Sequence, residues 1–288
     1  MTMLNPEIEQ RVWFITGSST GLGRALTERV LAQGGRVVAT ARHEKQLQEL
    51  SARYEQQAHV VRMDVTNQDD VREAVASAMS VFGRIDVLVN NAGYGLLGAV
   101  EEAEDIEVRQ QFETNFFGAL AVTRAVLPHM RKQRSGRILN ISSVGGFVGR
   151  AGAGIYNATK FALEGLSEAL AEEVAPLGIR VTIIEPGGFR TDWAGRSLQQ
   201  AAKTIDDYQV SSGQTRELIA SVNGRQAGDP TLAAQAMIEV VESDDPPLRL
   251  ALGADALERI KGKLTQVAQE LESWKQVSLR TSFVEHDS

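Results

Sequence analysis

The sequence predicts an α/β fold in which seven parallel strands form one doubly wound sheet with helices on both faces. Short runs of β-branched and apolar residues alternate along the chain with segments of helical spacing. Each run is apolar at consecutive positions, which is typical of strands buried on both faces of a parallel sheet. Parallel strands need right-handed crossovers, and the intervening helices supply them.

Helical spacing separates the seven predicted strands. After the first strand, Leu22, Leu26 and Val30 place apolar side chains on one side of a helix, and Gly34 with Gly35 ends it. The same alternation continues along the chain. The strands are predicted at residues 12–15, 36–40, 59–63, 87–90, 137–141, 180–184 and 248–252.

No Pro/Ser-rich linker or internal repeat divides the chain, so we predict one domain over residues 1–288 with a core of about 11–253. Residues from about 189 to 228 contain no clear strand and are too long for an ordinary connection, which predicts a mobile, partly helical lid. We predict that residues from about 254 to 280 form a C-terminal helical extension that serves packing or assembly. Its apolar positions at helical spacing are Leu257, Ile260, Leu264, Val267 and Leu271.

Composition and charge exclude several classes of function. The net charge of −7 argues against nucleic-acid binding, which needs clustered lysine and arginine. The absence of cysteine excludes disulfides, iron–sulfur clusters, thiolate-bound zinc and a cysteine nucleophile. The remaining chemistry must come from other side chains or from a bound organic cofactor.

Metal sites and membrane targeting are not expected either. The four histidines are not beside the motifs described below, so we interpret them as surface residues and predict no metal site. Residues 1–10 lack the apolar stretch of a secretory signal, and nowhere do about 18 apolar residues follow one another. We expect a cytoplasmic protein without a membrane partner.

A glycine-rich turn between the first strand and the first helix predicts a Rossmann-like dinucleotide site. Gly17 can make the tight turn, Gly21 lets the backbone approach a pyrophosphate, and Gly23 allows close helix packing. The spacing is G-x-x-x-G-x-G rather than G-x-G-x-x-G, and a purely structural turn is the alternative. The candidate contacts here are Gly17, Ser18, Ser19, Thr20, Gly21, Leu22 and Gly23.

The residues after the second strand favour NADP(H) over NAD(H). An acidic residue there would bind both ribose hydroxyls of NAD and repel a 2′-phosphate, but residues 39–42 carry no carboxylate. Arg42 offers a guanidinium for the phosphate, with help from Ser18 or Ser19. The alternative is that Arg42 is solvated and both cofactors are accepted.

Two later turns add candidate cofactor contacts. Asp64 and Val65 follow the third strand, where the carboxylate could hold the adenine amino group or simply cap a turn. After the fourth strand, Asn91, Ala92 and Gly93 provide small residues and amides against which a ring or ribose could lie. An asparagine-rich structural turn is the alternative there.

Tyr156 and Lys160 lie four residues apart in a predicted helix, so their side chains share one face. A phenol with a pKa of about 10 is a poor base near neutral pH, whereas a nearby ammonium and an oxidised nicotinamide favour the phenolate. We therefore expect Lys160 to lower the pKa of Tyr156. Ser143 ends the fifth strand, at the edge where such sheets bind ligands, and can bond a substrate oxygen. A half-buried helix surface is the alternative for the Tyr/Lys pair.

In combination, these motifs resemble those of the short-chain dehydrogenase/reductases, over about residues 12–191. The segment 39–42 and the C-terminal extension are most similar to the 17β-hydroxysteroid-dehydrogenase-like branch. The matching features, in order, are Thr16-Gly17-x3-Gly21-x-Gly23, Asn90-Asn91-Ala92-Gly93, Ser143, Tyr156-x3-Lys160 and Pro186-Gly187.

The resemblance implies a role for each catalytic candidate. It makes Tyr156 the general acid/base, has Ser143 position the substrate carbonyl, and has Lys160 bind the nicotinamide ribose while lowering the Tyr156 pKa. It also implicates Asn115, inside a helical run over residues 111–130, as holder of a water that extends the proton relay. A solvent-facing helical asparagine is the alternative for Asn115.

The resemblance further implies that the segment after the sixth strand closes over the nicotinamide. Its candidate contacts are Pro186, Gly187, Phe189 and Thr191. A second glycine at Gly188 departs from the usual pattern, and we expect it to loosen the lid. Family members commonly associate through the helices of the Asn and Tyr/Lys motifs, which implies a homodimer or homotetramer.

The candidate substrate pocket is mostly apolar and aromatic, which favours a hydrophobic ketone, aldehyde or alcohol. Its residues are Tyr94, Leu96, Leu97, Val144, Phe147, Phe189, Trp193 and Tyr208. We predict an NADP(H)-dependent oxidoreductase (a carbonyl reductase acting on CH–OH donors) with a small-molecule substrate. Two alternatives are a catalytically silent NADP-binding redox sensor and an interaction protein acting through its C-terminal helix.

Overall fold

The computed structural model describes residues 11–283; residues 1–10, with their targeting prediction, and residues after 283, including His286, lie outside it. It contains the predicted seven-stranded parallel sheet with helices on both faces, so the fold prediction is confirmed. The strand order is β3-β2-β1-β4-β6-β7-β9. The strands of this sheet are β1 Val12–Ile15, β2 Arg36–Ala41, β3 Ala58–Arg62, β4 Val87–Asn90, β6 Gly136–Ile141, β7 Ile179–Pro186 and β9 Arg249–Leu252.

The strand order reverses between β1 and β4, which pair in parallel with Phe14 opposite Leu88. From β1 the chain moves outward through β2 to β3 and then returns to β4 on the other side. Loops that leave neighbouring strands in opposite directions open a crevice at their carboxyl ends, the usual ligand position in such sheets. The glycine-rich turn after β1 and the asparagine turn after β4 both lie at this point.

Helices cover the sheet on both faces because each carries an apolar stripe. Leu26 and Met237 belong to the core on one face, and Val75, Val126 and Leu170 to the core on the other. None of the described helices has the length and apolar character needed to cross a bilayer. The helices are α1 Gly21–Ala32, α2 Gln48–Arg53, α3 Gln68–Phe82, α4 Asp105–Phe112, α5 Ala119–Gln133, α6 Gly154–Val174, α7 Gln214–Val222, α8 Pro230–Glu242 and α9 Ala254–Leu279.

A second, two-stranded sheet corrects the prediction that residues 189–228 contain no strand. Strand β5 (Gly95–Leu97) pairs in parallel with β8 (Leu198–Gln200), with Leu96 opposite Gln199. The two segments are about 100 residues apart in the sequence, and a three-residue strand has no periodicity of its own to detect. This pairing anchors one part of the predicted lid beside the loop after β4.

The helical run expected over residues 111–130 is not uniform. Between α4 and α5, residues Glu113–Gly118 form a wide π-helical turn. Such turns are rare inside helices and are frequent at functional sites. This one contains Asn115, whose side chain is buried.

Candidate active site

Most of the predicted site residues line one cavity of about 1020 Å³ at the carboxyl ends of the strands. The glycine-rich turn, the turn after β4, residues 142–145 after β6 and residues 186–189 after β7 form its walls. Helix α6 contributes Tyr156 and Lys160 to the same space. Cofactor candidates and catalytic candidates therefore share one cavity.

The glycine-rich turn is built around close backbone contacts. Gly17 and Gly21 have φ values of +67° and +60°, which glycine adopts without strain. A Cβ on Gly23 would lie 2.3 Å from Asn91 Nδ2 and 2.5 Å from Gly17 O, so glycine is required for close packing there. The Asn91 amide donates to Thr16 O at 2.9 Å and to Gly17 O at 3.1 Å. The turn after β4 thus holds the glycine turn in shape.

Ser18 departs from its predicted role as a phosphate ligand. It is fully buried, and its Oγ donates to Ile15 O at 3.0 Å while its backbone N–H donates to Thr40 O. The hydroxyl stabilises the turn from inside and does not line the cavity. Ser19, Thr20 and Leu22 do line it.

The end of the cavity near β2 and β3 contains the residues predicted to set cofactor preference. Arg42 is exposed and lines the cavity beside His43. Asp64 and Val65 line it too, although Asp64 Oδ1 also accepts from the backbone N–H and hydroxyl of Thr66 at 3.0 and 2.8 Å. This end of the cavity thus presents a cationic side chain with no acidic residue next to it in the sequence.

Tyr156 is buried, and its ring lies 5.5 Å from that of Trp193, centroid to centroid. Burial raises the pKa of Tyr156 to about 12, while its hydrogen bond with Ser143 acts in the opposite direction. Loss of hydration of the phenolate is the dominant effect here, and the lowering of this pKa by Lys160 together with an oxidised nicotinamide stays a prediction. Ser143 Oγ also accepts from Gly145 N at 2.9 Å, which fixes its position next to Tyr156.

Lys160 lies behind Tyr156, with Nζ 5.9 Å from the centre of the phenol ring. Nζ donates to Ile141 O at 2.8 Å. Burial lowers the pKa of Lys160 to about 8, against the charge of Glu164, which raises it. An ammonium has three N–H donors, so two remain for a ligand or a water.

Asn115 does not line the cavity but sits directly behind its wall. Its Nδ2 donates to Tyr94 O at 2.9 Å and to Thr159 Oγ1 at 3.1 Å, and its Oδ1 accepts from Tyr94 N at 3.0 Å. The solvent-facing alternative does not hold, since the side chain is buried. Asn115 connects the loop after β4 with helix α6, one residue before Lys160.

Two buried carboxyl groups lie beyond Lys160 on either side of the Arg249 guanidinium. Arg249 Nε is 3.2 Å from Glu164 Oε2 and 3.3 Å from Glu185 Oε1. Burial and the nearby charge of Glu164 raise the pKa of Glu185 to about 7. Burial also raises the pKa of Glu164. No local sequence pattern links these residues of α6, β7 and β9, so the cluster could not be predicted from the sequence.

The segment after β7 forms the opposite wall. Pro186, Gly187, Phe189, Thr191 and Trp193 all line the cavity. Thr191 Oγ1 accepts from Trp193 N at 3.3 Å, which holds the aromatic ring toward Tyr156. Gly188 N donates to Asp255 Oδ2 at 2.8 Å, so the second glycine is bound to the start of α9.

Three predicted pocket residues lie elsewhere. Leu96 is buried behind the cavity, whereas Leu97 lines it, because successive side chains of a strand point to opposite faces. Phe147 packs against the guanidinium of Arg249, whose Cζ lies 5.8 Å from the centre of the Phe147 ring. Tyr208 donates from its hydroxyl to Glu101 Oε2 at 2.6 Å on the surface. Tyr94 and Val144 line the cavity as predicted.

Helix α7 and the first turns of α9 contribute cavity residues that were not predicted from the sequence. Leu218, Ile219 and Val222 of α7 form an apolar wall, and their helical spacing within the predicted lid could have indicated it. Arg150 and Arg259 also line the cavity. Burial lowers the pKa of Arg259, and the nearby charge of Arg150 lowers it further. The cavity is therefore apolar on one side and basic on another.

A buried ion pair ties this lid to the body. Arg216 Nη1 lies 2.6 Å from Glu102 Oε2, and Glu102 also accepts from the backbone N–H of Ile205 at 2.9 Å. The bond to Arg216 is the main reason that the pKa of Glu102 is held at about 2. The pair connects the loop after β5 with α7 and fixes the apolar wall of the cavity.

Comparison with known proteins gives matches over most of the chain. The family model described as short chain dehydrogenase matches residues 11–202. The 3-ketodihydrosphingosine reductase of Bacteroides thetaiotaomicron is 38% identical over 247 residues, which cover 85% of this chain and 89% of that protein. The solved structure of a short-chain dehydrogenase from Streptomyces avermitilis is 43% identical, with a TM-score of 0.89, covering 94% of this chain and all of the other.

A more distant solved structure contains a bound cofactor. The 3-ketoacyl-(acyl-carrier-protein) reductase of Brucella melitensis, complexed with NADH, is 25% identical with a TM-score of 0.71, covering 84% of this chain and 96% of the other. The resemblance based on sequence motifs is thus confirmed at the level of the family, while the 17β-hydroxysteroid-dehydrogenase-like branch stays a prediction. The chain belongs to the short-chain dehydrogenase family of oxidoreductases.

Proposed function

We propose that this protein is an NADP(H)-dependent oxidoreductase that interconverts a carbonyl and an alcohol on a hydrophobic small molecule. The observation that carries the proposal is the position of Tyr156, buried beside Ser143 in the same cavity as the glycine-rich turn. A proton donor and a dinucleotide cradle in one space are what carbonyl reduction requires.

The cavity residues fit a nicotinamide dinucleotide. The positive φ values of Gly17 and Gly21 keep side chains away from the place where a pyrophosphate would lie at the start of α1. Arg42, at the far end, supports NADP(H) over NAD(H), since its guanidinium can bind a 2′-phosphate. The Brucella melitensis reductase, which has a similar fold, is complexed with NADH, and this supports a nicotinamide cofactor here.

The chain's own residues account for the proton chemistry. A bound nicotinamide supplies or accepts the hydride at the carbonyl carbon. Ser143 donates a hydrogen bond to the substrate oxygen, and Tyr156, kept protonated at neutral pH by its raised pKa, donates its proton to that oxygen. Lys160 is oriented by its hydrogen bond to Ile141 O, and its two remaining N–H groups would bind the ribose hydroxyls of the cofactor.

The cavity wall supports two substrate features. The apolar residues of α7, with Val144 and Trp193, favour a hydrophobic body on the substrate. Arg150 and Arg259 favour molecules that also carry an acidic group at the other end. The name of the Bacteroides thetaiotaomicron relative indicates a ketone substrate for that enzyme, in line with the proposed reaction here.

The test is oxidation of NADPH and NADH with a panel of hydrophobic ketones and aldehydes, including a keto acid and its methyl ester. Tyr156→Phe should lower kcat by at least about 100-fold while NADPH binding, followed by fluorescence, is retained. Tyr54→Phe, which alters a tyrosine outside the cavity, is the matched control. Tight NADPH binding without turnover of any compound would instead favour the catalytically silent redox sensor.

A further inference from the structure

The C-terminal helix α9 is attached to the body only at its beginning. Its 26 residues are all described, and among them Ala256 alone is buried. The first turns pack beside β9 and the turn Val144–Gly146, while every residue from 268 to 279 is exposed. A helix end without tertiary contacts is marginally stable in water, so this segment needs a packing partner.

The apolar residues of α9 follow a seven-residue repeat. These residues are separated alternately by three and four positions. Leucine occupies three positions that are seven residues apart, at Leu257, Leu264 and Leu271. Leu257, Leu264 and Leu271 are 49%, 53% and 68% exposed, and Trp274 is 65% exposed. Alternating spacings of three and four residues place these side chains in one stripe, the arrangement through which helices pair in a coiled coil; Ile260 and Val267 of this stripe are half-buried and the other positions are exposed. The full seam is Leu257, Ile260, Leu264, Val267, Leu271 and Trp274.

We propose that α9 pairs antiparallel with α9 of a second copy of this chain, with Leu264 opposite Val267 of the partner subunit. In this register Leu257 meets Trp274 of the partner subunit, and the exposed second half of each helix covers the first half of the other. The body holds that first half in place. The free ends thus gain the support that they lack in the single chain.

The charges beside the seam fit this register. Lys263 faces Glu270 of the partner subunit, and two-fold symmetry repeats the pair on the other side. Neither Lys263 nor Glu270 forms an ion pair among the described residues; Glu270 Oε1 accepts a hydrogen bond at 2.7 Å from the neutral amide of Gln266, which leaves its charge without an opposite charge in the same chain. Lys261 faces Ala268 of the partner subunit, and Lys275 faces Ala254 of the partner subunit. No like charges oppose each other.

This pairing is independent of the proposed function and of the association through α5 and α6 that the family resemblance implies. We assign another copy of this chain as the partner of α9 because the seam and flanking charges of one α9 match those of a second, antiparallel α9. The tests therefore measure cross-linking and mass, which do not depend on turnover.

Disulfide cross-linking tests the register directly, because the chain contains no cysteine. Lys263→Cys and Glu270→Cys variants of the full chain are purified separately, mixed and oxidised. A cross-linked dimer that forms in the mixture, and not with either variant alone, is the expected result. Leu271→Cys cross-linking to itself would show a parallel pair and overturn the proposal, because the antiparallel register keeps the two Leu271 side chains about 16 Å apart along the helix axis. The absence of a cross-link in the mixture would overturn it too.

Light scattering tests the contribution of the seam to assembly. Leu264→Glu combined with Leu271→Glu should halve the molecular mass, or shift the midpoint of assembly at least 10-fold to higher protein concentration. Gln269→Glu combined with Gln276→Glu adds the same charge off the seam and should leave the mass unchanged. Circular dichroism confirms that both variants are folded. Equal masses for both folded variants would overturn the proposal.

Discussion

Both polar atoms of the Asn115 side chain are bonded to the main chain of Tyr94, with Oδ1 accepting from N at 3.0 Å and Nδ2 donating to O at 2.9 Å. The wide π-helical turn Glu113–Gly118 brings Asn115 to this place. A Cβ on the preceding Gly93 would lie 3.0 Å from Asn115 Oδ1 and 3.7 Å from Lys160 Nζ. The amide thus fixes the cavity wall beside Lys160.

Removing this amide should impair catalysis more than binding. In Asn115→Ala the Tyr94 loop loses both bonds, and we expect kcat to fall about 10- to 100-fold through misplacement of groups around Lys160. Steady-state kinetics and NADPH affinity measure the two effects separately. Asn223→Ala, in an exposed position, is the control, and an unchanged kcat in Asn115→Ala would contradict the positioning role.

Arg42 should determine the choice of cofactor. Arg42→Asp replaces a cation that can bind the 2′-phosphate with an anion that repels it, so kcat/KM for NADPH should fall about 10- to 100-fold while that for NADH is retained or rises. The ratio of the two values is the measurement. Arg53→Asp is the control, and an equal loss with both cofactors would refute the assignment.

Lys160 should reduce the stability of the fold while serving catalysis. Its folded-state pKa of about 8 lies below the ordinary 10.5, so between these values the unfolded chain binds more protons and stability rises with pH. Near pH 7 the buried ammonium therefore costs stability. Lys160→Met should abolish turnover yet raise Tm by about 2 to 6 °C at pH 7, and by less near pH 9.5. Thermal unfolding measures this, with exposed Lys132→Met as control; an equal gain at both pH values would be inconsistent with the argument.

Glu185 should make the fold less stable as the pH rises. Its folded-state pKa of about 7 lies above the ordinary 4.5, so the protonated form contributes stability below 4.5 that is lost as the pH rises through 7. Glu185→Gln places a neutral side chain of the same shape beside Arg249. We expect it to raise the free energy of unfolding by about 1 kcal/mol at pH 8 and to change it little at pH 5. Urea denaturation at both pH values checks this, and Glu173→Gln should show no such difference.

The Glu102–Arg216 pair should hold the lid over the substrate. Arg216→Met leaves a buried carboxylate without its partner, which should reduce the free energy of unfolding by about 3 kcal/mol and raise the KM for substrate. Adding Glu102→Gln removes the unpaired charge and should restore part of the stability. Denaturation and kinetics of both variants are the measurements; no recovery in the double variant would argue against charge as the cause.

Local patterns in the sequence determined the fold and the core of the site. Consecutive apolar residues identified all seven strands of the large sheet to within two residues, because burial on both faces acts on each position of a strand. The glycines of the first turn and the four-residue spacing of Tyr156 and Lys160 are likewise properties of neighbouring residues. Helix geometry alone places those two side chains together.

Only the tertiary structure decided which side chains reach the cavity and how they ionise. Leu97 rather than Leu96 lines it because β5 pairs with a distant strand, and Ser18 turns inward to bond Ile15. The Tyr156 pKa moves upward because residues from separate parts of the chain exclude water from it. Burial depends on contacts between segments far apart in sequence, and a local pattern carries no information about them.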